Sequence, residues 1–309
     1  MAGFNKGTSP NAVKTALDLV FMSQYEYKNI PSLATAVSGI FNQETTSKNA
    51  EVTEQFQGVG YFDTRAEQQD VPEGSGKIGN QKTFTVLNYD KSIHISKNFF
   101  DDDQHSVISK MMKDAGRTAR LTKDKVSLNQ FNLGFTTALT NDGVALFSNS
   151  HVTLNGTTVD NLSTGALSES TLYTLIQLLI NQKTQDGTLG GFIPTYLLVP
   201  SGLDKTAREV TKSTLRSGTG NNDLNYYSEV YPGMQVLQSP FLEAAQGGSA
   251  TAHFVLSENH SMTRWVRQDL QTRLVDWETQ ANNDYIYKVG YREVTGAISY
   301  EGMVGSTGV

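Results

Sequence analysis

The chain has 309 residues, room for about two domains' worth of core, and only 18% of them are charged against the usual ~25%, the polar remainder being Asn, Gln, Ser and Thr. A net charge of −6, with no dense Lys/Arg run, excludes a tight sequence-neutral grip on nucleic acid. The absence of cysteine removes disulfides, thiolate metal sites and cysteine nucleophiles together.

The first residues lead into no secretory segment, and the apolar stretch around Leu17 to Met22 is broken by Asp18 and too short to span a bilayer. A cytoplasmic product is expected. Val13, Ala16, Leu17, Val20 and Phe21 recur at helical spacing and predict a helix over 11–27. A short apolar stretch from Ala34 to Phe41 follows Pro31. Residues 51–97 read as extended: an arm from Glu51 to Phe62, a return from Lys82 to Asn88, and a further strand from Ser92 to Lys97. The connection between the arms is long and charged, ending in Pro72-Glu-Gly-Ser-Gly-Lys-Ile-Gly79. Such a loop inside a compact domain is expected to be ordered by something outside it.

Asp101, Asp102 and Asp103 are read as the N-terminal cap of a helix about 30 residues long, or ~45 Å. Ile108, Met112, Ala115 and Ala119 form its apolar face, continued by Leu128, Phe131 and Phe135. From Asn141 the chain alternates α and β. Leu172, Leu175, Ile176, Leu179 and Ile180 predict an amphipathic helix capped by Ser168 and stopped by Asp186-Gly187. Pro194 to Pro200 is a buried strand between prolines, followed by a helix from Leu203 to Leu215 and a polar loop from Arg216 to Asn225. Strands are expected at Met234–Leu237, His253–Leu256, Met262–Arg267, Thr272–Trp277, Asp284–Gly290 and Glu293–Tyr300.

Little of this carries chemistry. The histidines at 94, 105, 151, 253 and 260 have no zinc-ligand spacing. Capping outweighs metal binding for the three aspartates, because calcium loops use alternate positions around a central Gly. Gly74-Ser-Gly-Lys77 lacks the earlier Gly and following Ser/Thr of a phosphate loop. No nucleophile elbow or dinucleotide fingerprint occurs. A structural protein without catalytic, cofactor or metal residues is the expectation, although a scattered carboxylate pair stays open on sequence alone.

The segments resemble the major head proteins of tailed bacteriophages, in particular the family of the phage Mu major head subunit. Lys91-Ser-Ile-His-Ile-Ser-Lys-Asn-Phe-Phe-Asp-Asp-Asp-Gln104 is similar to that family's strand before the long helix, and Asp142-Gly-Val-Ala-Leu-Phe-Ser-Asn-Ser-His151 to its Leu-Phe-Ser…His segment. Pro194 to Lys205 and Tyr285 to Gly302 continue the likeness, which runs over roughly residues 50–305. His151 is assigned no special role.

The resemblance implies an α+β chain of the Hong-Kong-97-type capsid fold. Residues 1–50 would be an N-terminal arm, 51–90 an extended β-hairpin loop, and 91–144 a peripheral domain with a long spine helix. Residues 145–260 would be the axial domain and 261–309 the strands returning to the peripheral domain. It further implies pentamers and hexamers closing an icosahedral shell in the virion. Expected partners are a separate scaffolding protein, a portal, a possible decoration protein and DNA touched weakly on the inner face, with no membrane. Intersubunit contacts are expected at Asp63, Arg65, Glu67, Asp70, Glu73 and Lys77 of the loop, and at Arg216, Asn221 and Asn222 of the axial loop. The competing readings are an encapsulin-like nanocompartment shell, a phage tail or adhesion protein, and a carbohydrate hydrolase.

Overall fold

Two larger sheets, two two-stranded hairpins and a long helix organise the computed structural model, which describes residues 10–25, 40–74, 76–102, 106–215, 223–280 and 282–309. In chain order the elements are α1 (Pro10–Tyr25), β1 (Asn42–Thr45), β2 (Ala50–Phe56), β3 (Ile78–Thr85), β4 (Leu87–Ser96), α2 (Lys97–Asp101) and α3 (Val107–Asn132). There follow β5 (His151–Val152), β6 (Thr158–Val159), β7 (Leu162–Ser163), α4 (Glu169–Ile180), β8 (Pro194–Pro200), α5 (Asp204–Lys212) and α6 (Tyr226–Val230). The last strands are β9 (Gln235–Ser239), β10 (His253–Ser257), β11 (Met262–Val275), β12 (Asp284–Ala297) and β13 (Met303–Ser306).

The five-stranded sheet runs β7-β13-β10-β8-β9. Its central strands are apolar throughout because both faces are covered. The two-residue period then deals alternate side chains into two cores. Leu198, Leu237, Phe254, Leu256 and Met303 face a core shared with Leu128, Phe131 and Phe147. Leu197, Val199, Val236, Val255 and Val304 face a second core under α4 and α5. Helix α4 starts where the Ser168 hydroxyl accepts from the Thr171 amide at 3.2 Å. It ends at Ile180, six residues before the Asp186-Gly187 expected to stop it, and those two residues form a separate turn.

The four-stranded sheet runs β1-β11-β12-β4, with β1 parallel to β11 and the other pairs antiparallel. One face of β12 sends Tyr285, Tyr287, Val289, Tyr291, Glu293 and Thr295 inward, against α1 and the spine helix α3. Val13, Leu17 and Phe21 of α1 fall on one helical stripe and complete this third core with Ile108 and Met112. The spine helix has 26 residues, about 39 Å at ~1.5 Å per residue. It spans the third core and the first, so the helix ties both sheets together.

Two expectations are corrected. Asp101 and Asp102 do not cap the spine helix. The Ser96 hydroxyl caps α2 by accepting from the Phe99 amide, Asp101 ends that short helix in an ion pair with Lys97 at 3.0 Å, and Asp102 is its C-cap. Ser106, at φ 52°, opens the spine helix instead, while Asp103 and His105 lie outside the described residues. The closing segment 261–309, expected to return as one set of strands, also divides, with β11 and β12 in the four-stranded sheet and β13 in the five-stranded one. Its last strand β13 inserts between β10 and β7 in the five-stranded sheet, because Val304 fits the pocket under α4 and Met303 the shared core. Ala34 to Gly39 of the short apolar stretch lie outside the described residues, while Ile40 and Phe41 are buried in the shared core.

Candidate assembly surface

Strands β2 and β3 pair only with each other, in register from Ala50↔Thr85 to Phe56↔Ile78. The root is fastened to the body: Phe84 packs at a tilt against Trp265 with ring centroids 4.8 Å apart. A Cβ at Gly296 would come 2.2 Å from the Phe84 ring, so glycine is what lets that ring lie on β12. Beyond the root the hairpin has no core of its own. Two strands alone are marginally stable in water, and here their far end and the connecting loop project apolar side chains outward.

Phe56, Val59, Tyr61, Phe62, Val71 and Ile78 are all exposed, Phe62 to 97%. Single exposed apolar residues need no explanation, but a contiguous set on one projecting element marks a contact surface. Sequence reasoning missed this set, because a Phe or Val in an extended segment carries the same signal whether it faces a core or a neighbour. The six charged residues singled out from the sequence, Asp63, Arg65, Glu67, Asp70, Glu73 and Lys77, lie on the same loop and are all exposed. None of the six enters an ion pair with another described residue of its own subunit.

A second exposed apolar group lies in the segment between α5 and β9. Leu215 and Leu224 bridge to each other between α5 and α6, both substantially exposed, beside Tyr226 and Val230. Tyr173, Tyr227 and Tyr231 surround the Tyr226 ring within 6.1 Å. Arg216, Asn221 and Asn222 lie outside the described residues.

Buried charge gathers under the spine helix. Arg264 reaches Glu293 through Nε at 3.0 Å and Nη2 at 2.7 Å. The Lys123 ammonium stands 3.9 Å from the same carboxylate and 4.7 Å from the centre of the Tyr291 ring. Asp124 is 5% exposed and its Oδ2 has no hydrogen-bond partner. Burial pushes its carboxyl up to about 7, against the opposing pull of Arg120, Arg264 and Lys123. The arrangement braces helix to sheet.

The recess between α3, α1 and β4, about 370 Å³, is lined by Phe21, Ile93, Met111, Val289 and Tyr291 with Asp90, Lys91 and Asp114 around it, and by no histidine. His151, fully buried, points Nδ1 at Asp142 (2.6 Å) and Nε2 at the Leu146 carbonyl (3.2 Å), so both ring nitrogens are occupied. Among the described residues no three His, Asp or Glu side chains gather as metal ligands, and no helix is long and apolar enough to cross a membrane.

A family model described as phage capsid protein matches residues 80–305, well over half of the chain. Solved structures share the fold at low identity. The mature capsid of bacteriophage PhiM1 aligns with a TM-score of 0.56 and 13% identity, covering 86% of this chain and 84% of that one. A chain from Microbacterium phage Oxtober96 gives 0.53 and 10%, covering 88% and 90%. A virus-like particle from Pyrococcus furiosus gives 0.52 and 9%, covering 96% and 98%. No curated protein matches by sequence.

Proposed function

The chain belongs to the phage capsid protein family, a shell-forming structural protein of the virion with the Hong-Kong-97-type fold, and from that premise we propose how its surfaces build the shell. The hairpin of β2 and β3 reaches onto a neighbouring subunit, and its exposed apolar row, Phe56, Val59, Tyr61, Phe62, Val71 and Ile78, is buried there. One observation carries this: a projecting element with no core of its own presents large apolar side chains, and water is an unfavourable partner for them. The charged residues from Asp63 to Lys77 flank that row and set register and orientation against complementary charges on the neighbour. Leu215, Leu224 and Tyr226 pack around the five- and six-fold axes of pentamers and hexamers, where heterologous contacts close into rings.

The domain division follows the same reading, with an arm to about residue 50, a loop over 51–90, a peripheral unit on the four-stranded sheet and an axial unit on the five-stranded one, to which β13 also belongs. The subunit has no catalytic role. It is made in the host cytoplasm and assembles with a separate scaffolding protein and a portal. It leaves room for a decoration protein and touches packaged DNA weakly, as its net charge of −6 suggests. The finer kinship with the phage Mu major head subunit rests on the segments around Lys91–Gln104 and Asp142–His151.

The test is electron microscopy with light-scattering mass on the purified protein, alone and co-expressed with its genomic neighbours. Closed shells, or rings of five and six, are expected; a persistent compact monomer under both conditions rejects the proposal. The full-length alignment to a virus-like particle keeps a nanocompartment as the second reading. A neighbouring gene for a cargo enzyme, rather than terminase or tail proteins, would favour it.

A further inference from the structure

Three stretches of the chain repeat one five-residue pattern: Thr140-Asn-Asp-Gly-Val144, Thr153-Leu-Asn-Gly-Thr157 and Thr184-Gln-Asp-Gly-Thr188. Each folds into the same turn. The amide of the first residue donates to the carbonyl of the fifth at 2.9 Å in all three, and the glycine amide returns to the threonine carbonyl at 2.9 or 3.0 Å. The Asp or Asn Oδ1 accepts from the threonine hydroxyl and from the fifth amide at 3.1, 3.0 and 3.0 Å. The glycines stand at φ 81°, 87° and 83°, the left-handed region that only glycine enters freely. Side-chain capping by Asp or Asn followed by glycine thus dictates the turn locally.

The chain weaves the three turns together. Asn155 Nδ2 donates to the Asp186 carbonyl at 2.8 Å, linking the second turn to the third. Asp142 of the first holds His151. The His151 ring lies 4.7 Å from that of Tyr300, whose hydroxyl donates to the Lys183 carbonyl at 3.0 Å, at the foot of the third turn.

Each turn also touches the hairpin, the first at mid-strand, the second at the far end of the strands and the third at the start of the connecting loop. At the first, the Thr53 hydroxyl donates to Asn141 Oδ1 at 3.1 Å and the Lys82 ammonium donates to the Leu139 carbonyl. At the second, Gly79 lies so close that a Cβ would come 2.4 Å from Leu154 Cδ2. At the third, the Leu189 amide donates to the Tyr61 hydroxyl oxygen at 3.1 Å. There the Asp186 carboxylate is held at about 2 by the Thr184 hydroxyl, against partial burial, with further bonds from Thr188 and from the Gly60 amide of the loop.

We propose that these turns form a clamp that sets the angle at which the hairpin leaves the subunit, making Asn155, Asn141 and Tyr61 positioning residues for the curvature of the shell. The proposal rests on the shell-forming reading above. With those contacts released the hairpin is held at its Phe84–Trp265 root, and a tilt of about 10° there moves the far end of a seven-residue strand, about 23 Å away, by about 4 Å. That displacement is enough to change which surface of the neighbour receives Phe62, and with it the angle between subunits.

The test uses the full chain carrying Thr53→Val, Tyr61→Phe and Asn155→Asp together. Each substitution removes one bond between turn and hairpin or between turns. Aspartate at 155 keeps the oxygen that caps its own turn, so the turns themselves survive. Amide exchange is measured on dissociated subunits, and shell diameters by electron microscopy. The variant is expected to melt with the wild type, to exchange the Leu189 amide about fivefold faster, and to give shells of mixed diameter or open sheets. Shells of wild-type diameter and yield despite faster exchange would overturn the curvature role, and unchanged exchange would overturn the clamp. Should the triple variant unfold, Tyr61→Phe alone is read by the same two measurements. Wild-type protein that never closes shells rejects the shell-forming reading, and the exchange arm then judges the clamp alone.

Discussion

Gly116 lies where α1 crosses the spine helix, and its missing side chain sets how closely the two approach. Glycine inside an exposed helix ordinarily costs about 0.5–1 kcal/mol relative to alanine. Here a Cβ would come 2.2 Å from the Phe21 carbonyl oxygen, and that backbone has no freedom to retreat. Gly116→Ala is therefore expected to destabilise the subunit by about 1–3 kcal/mol, measured by urea melting; a gain in stability would show that α1 is not tightly seated. A few residues along the same helix, Asp124 faces Arg120, Lys123, Arg264 and Glu293. Its folded pKa, pushed to about 7 by burial, lies above the unfolded value near 3.8, so the folded state holds the proton longer. Stability from this group is complete at acid pH and is lost as pH rises through about 7. Asp124→Asn should remove that loss, raising stability at pH 8 by on the order of a few kcal/mol while changing little near pH 4. Melting curves at both pH values check it, and parallel slopes for both proteins would refute it.

Elements differed in how far the sequence revealed them, and the reasons are specific. Strand β8 was readable to the residue, because prolines at 194 and 200 bound an unbroken apolar run. Strands β11 and β12 were each read as two. Bulges between Val266 and Gln271 shift the register of β11, so its alternation breaks mid-strand. In β12 the apparent stop at Gly290 is a strand glycine that admits the Asp90 side chain, 1.9 Å from where a Cβ would stand. Strand β13 was missed because four residues carry too little periodicity. The loop's length and charge were legible, and its exposure followed. Its apolar contact row was not, since nothing local distinguishes Phe62 from a core residue. The repeated Thr-x-Asp/Asn-Gly pattern went unread, because three short matches far apart in the chain look like unrelated loops until the fold brings them together. If the row faces a neighbour, Phe62→Asp should leave subunit melting unchanged and raise the concentration needed for shell assembly at least about tenfold, the factor for one buried aromatic. Assembly at the wild-type threshold would remove Phe62 from the interface.

At the scale of the whole molecule, the question is which force closes the shell. The loop carries both candidates side by side: six exposed charges from Asp63 to Lys77, and six exposed apolar residues from Phe56 to Ile78. Exposed ion pairs contribute about 0–1 kcal/mol each and are screened within ~8 Å at physiological salt. Burying an apolar side chain contributes about 1.5–3 kcal/mol and is not screened. The apolar row should therefore supply most of the contact energy, and the charges the rate and register of encounter. Raising salt from about 0.1 to about 1 M, which cuts the screening length from ~10 to ~3 Å, is expected to slow assembly while leaving the final yield of shells close to its low-salt value. Time-resolved light scattering gives the rate and electron microscopy the yield. A yield that collapses with salt would place the closing energy in the charged residues, and deletion of residues 63–79 would then abolish shells through lost ion pairs rather than through loss of Val71 and Ile78.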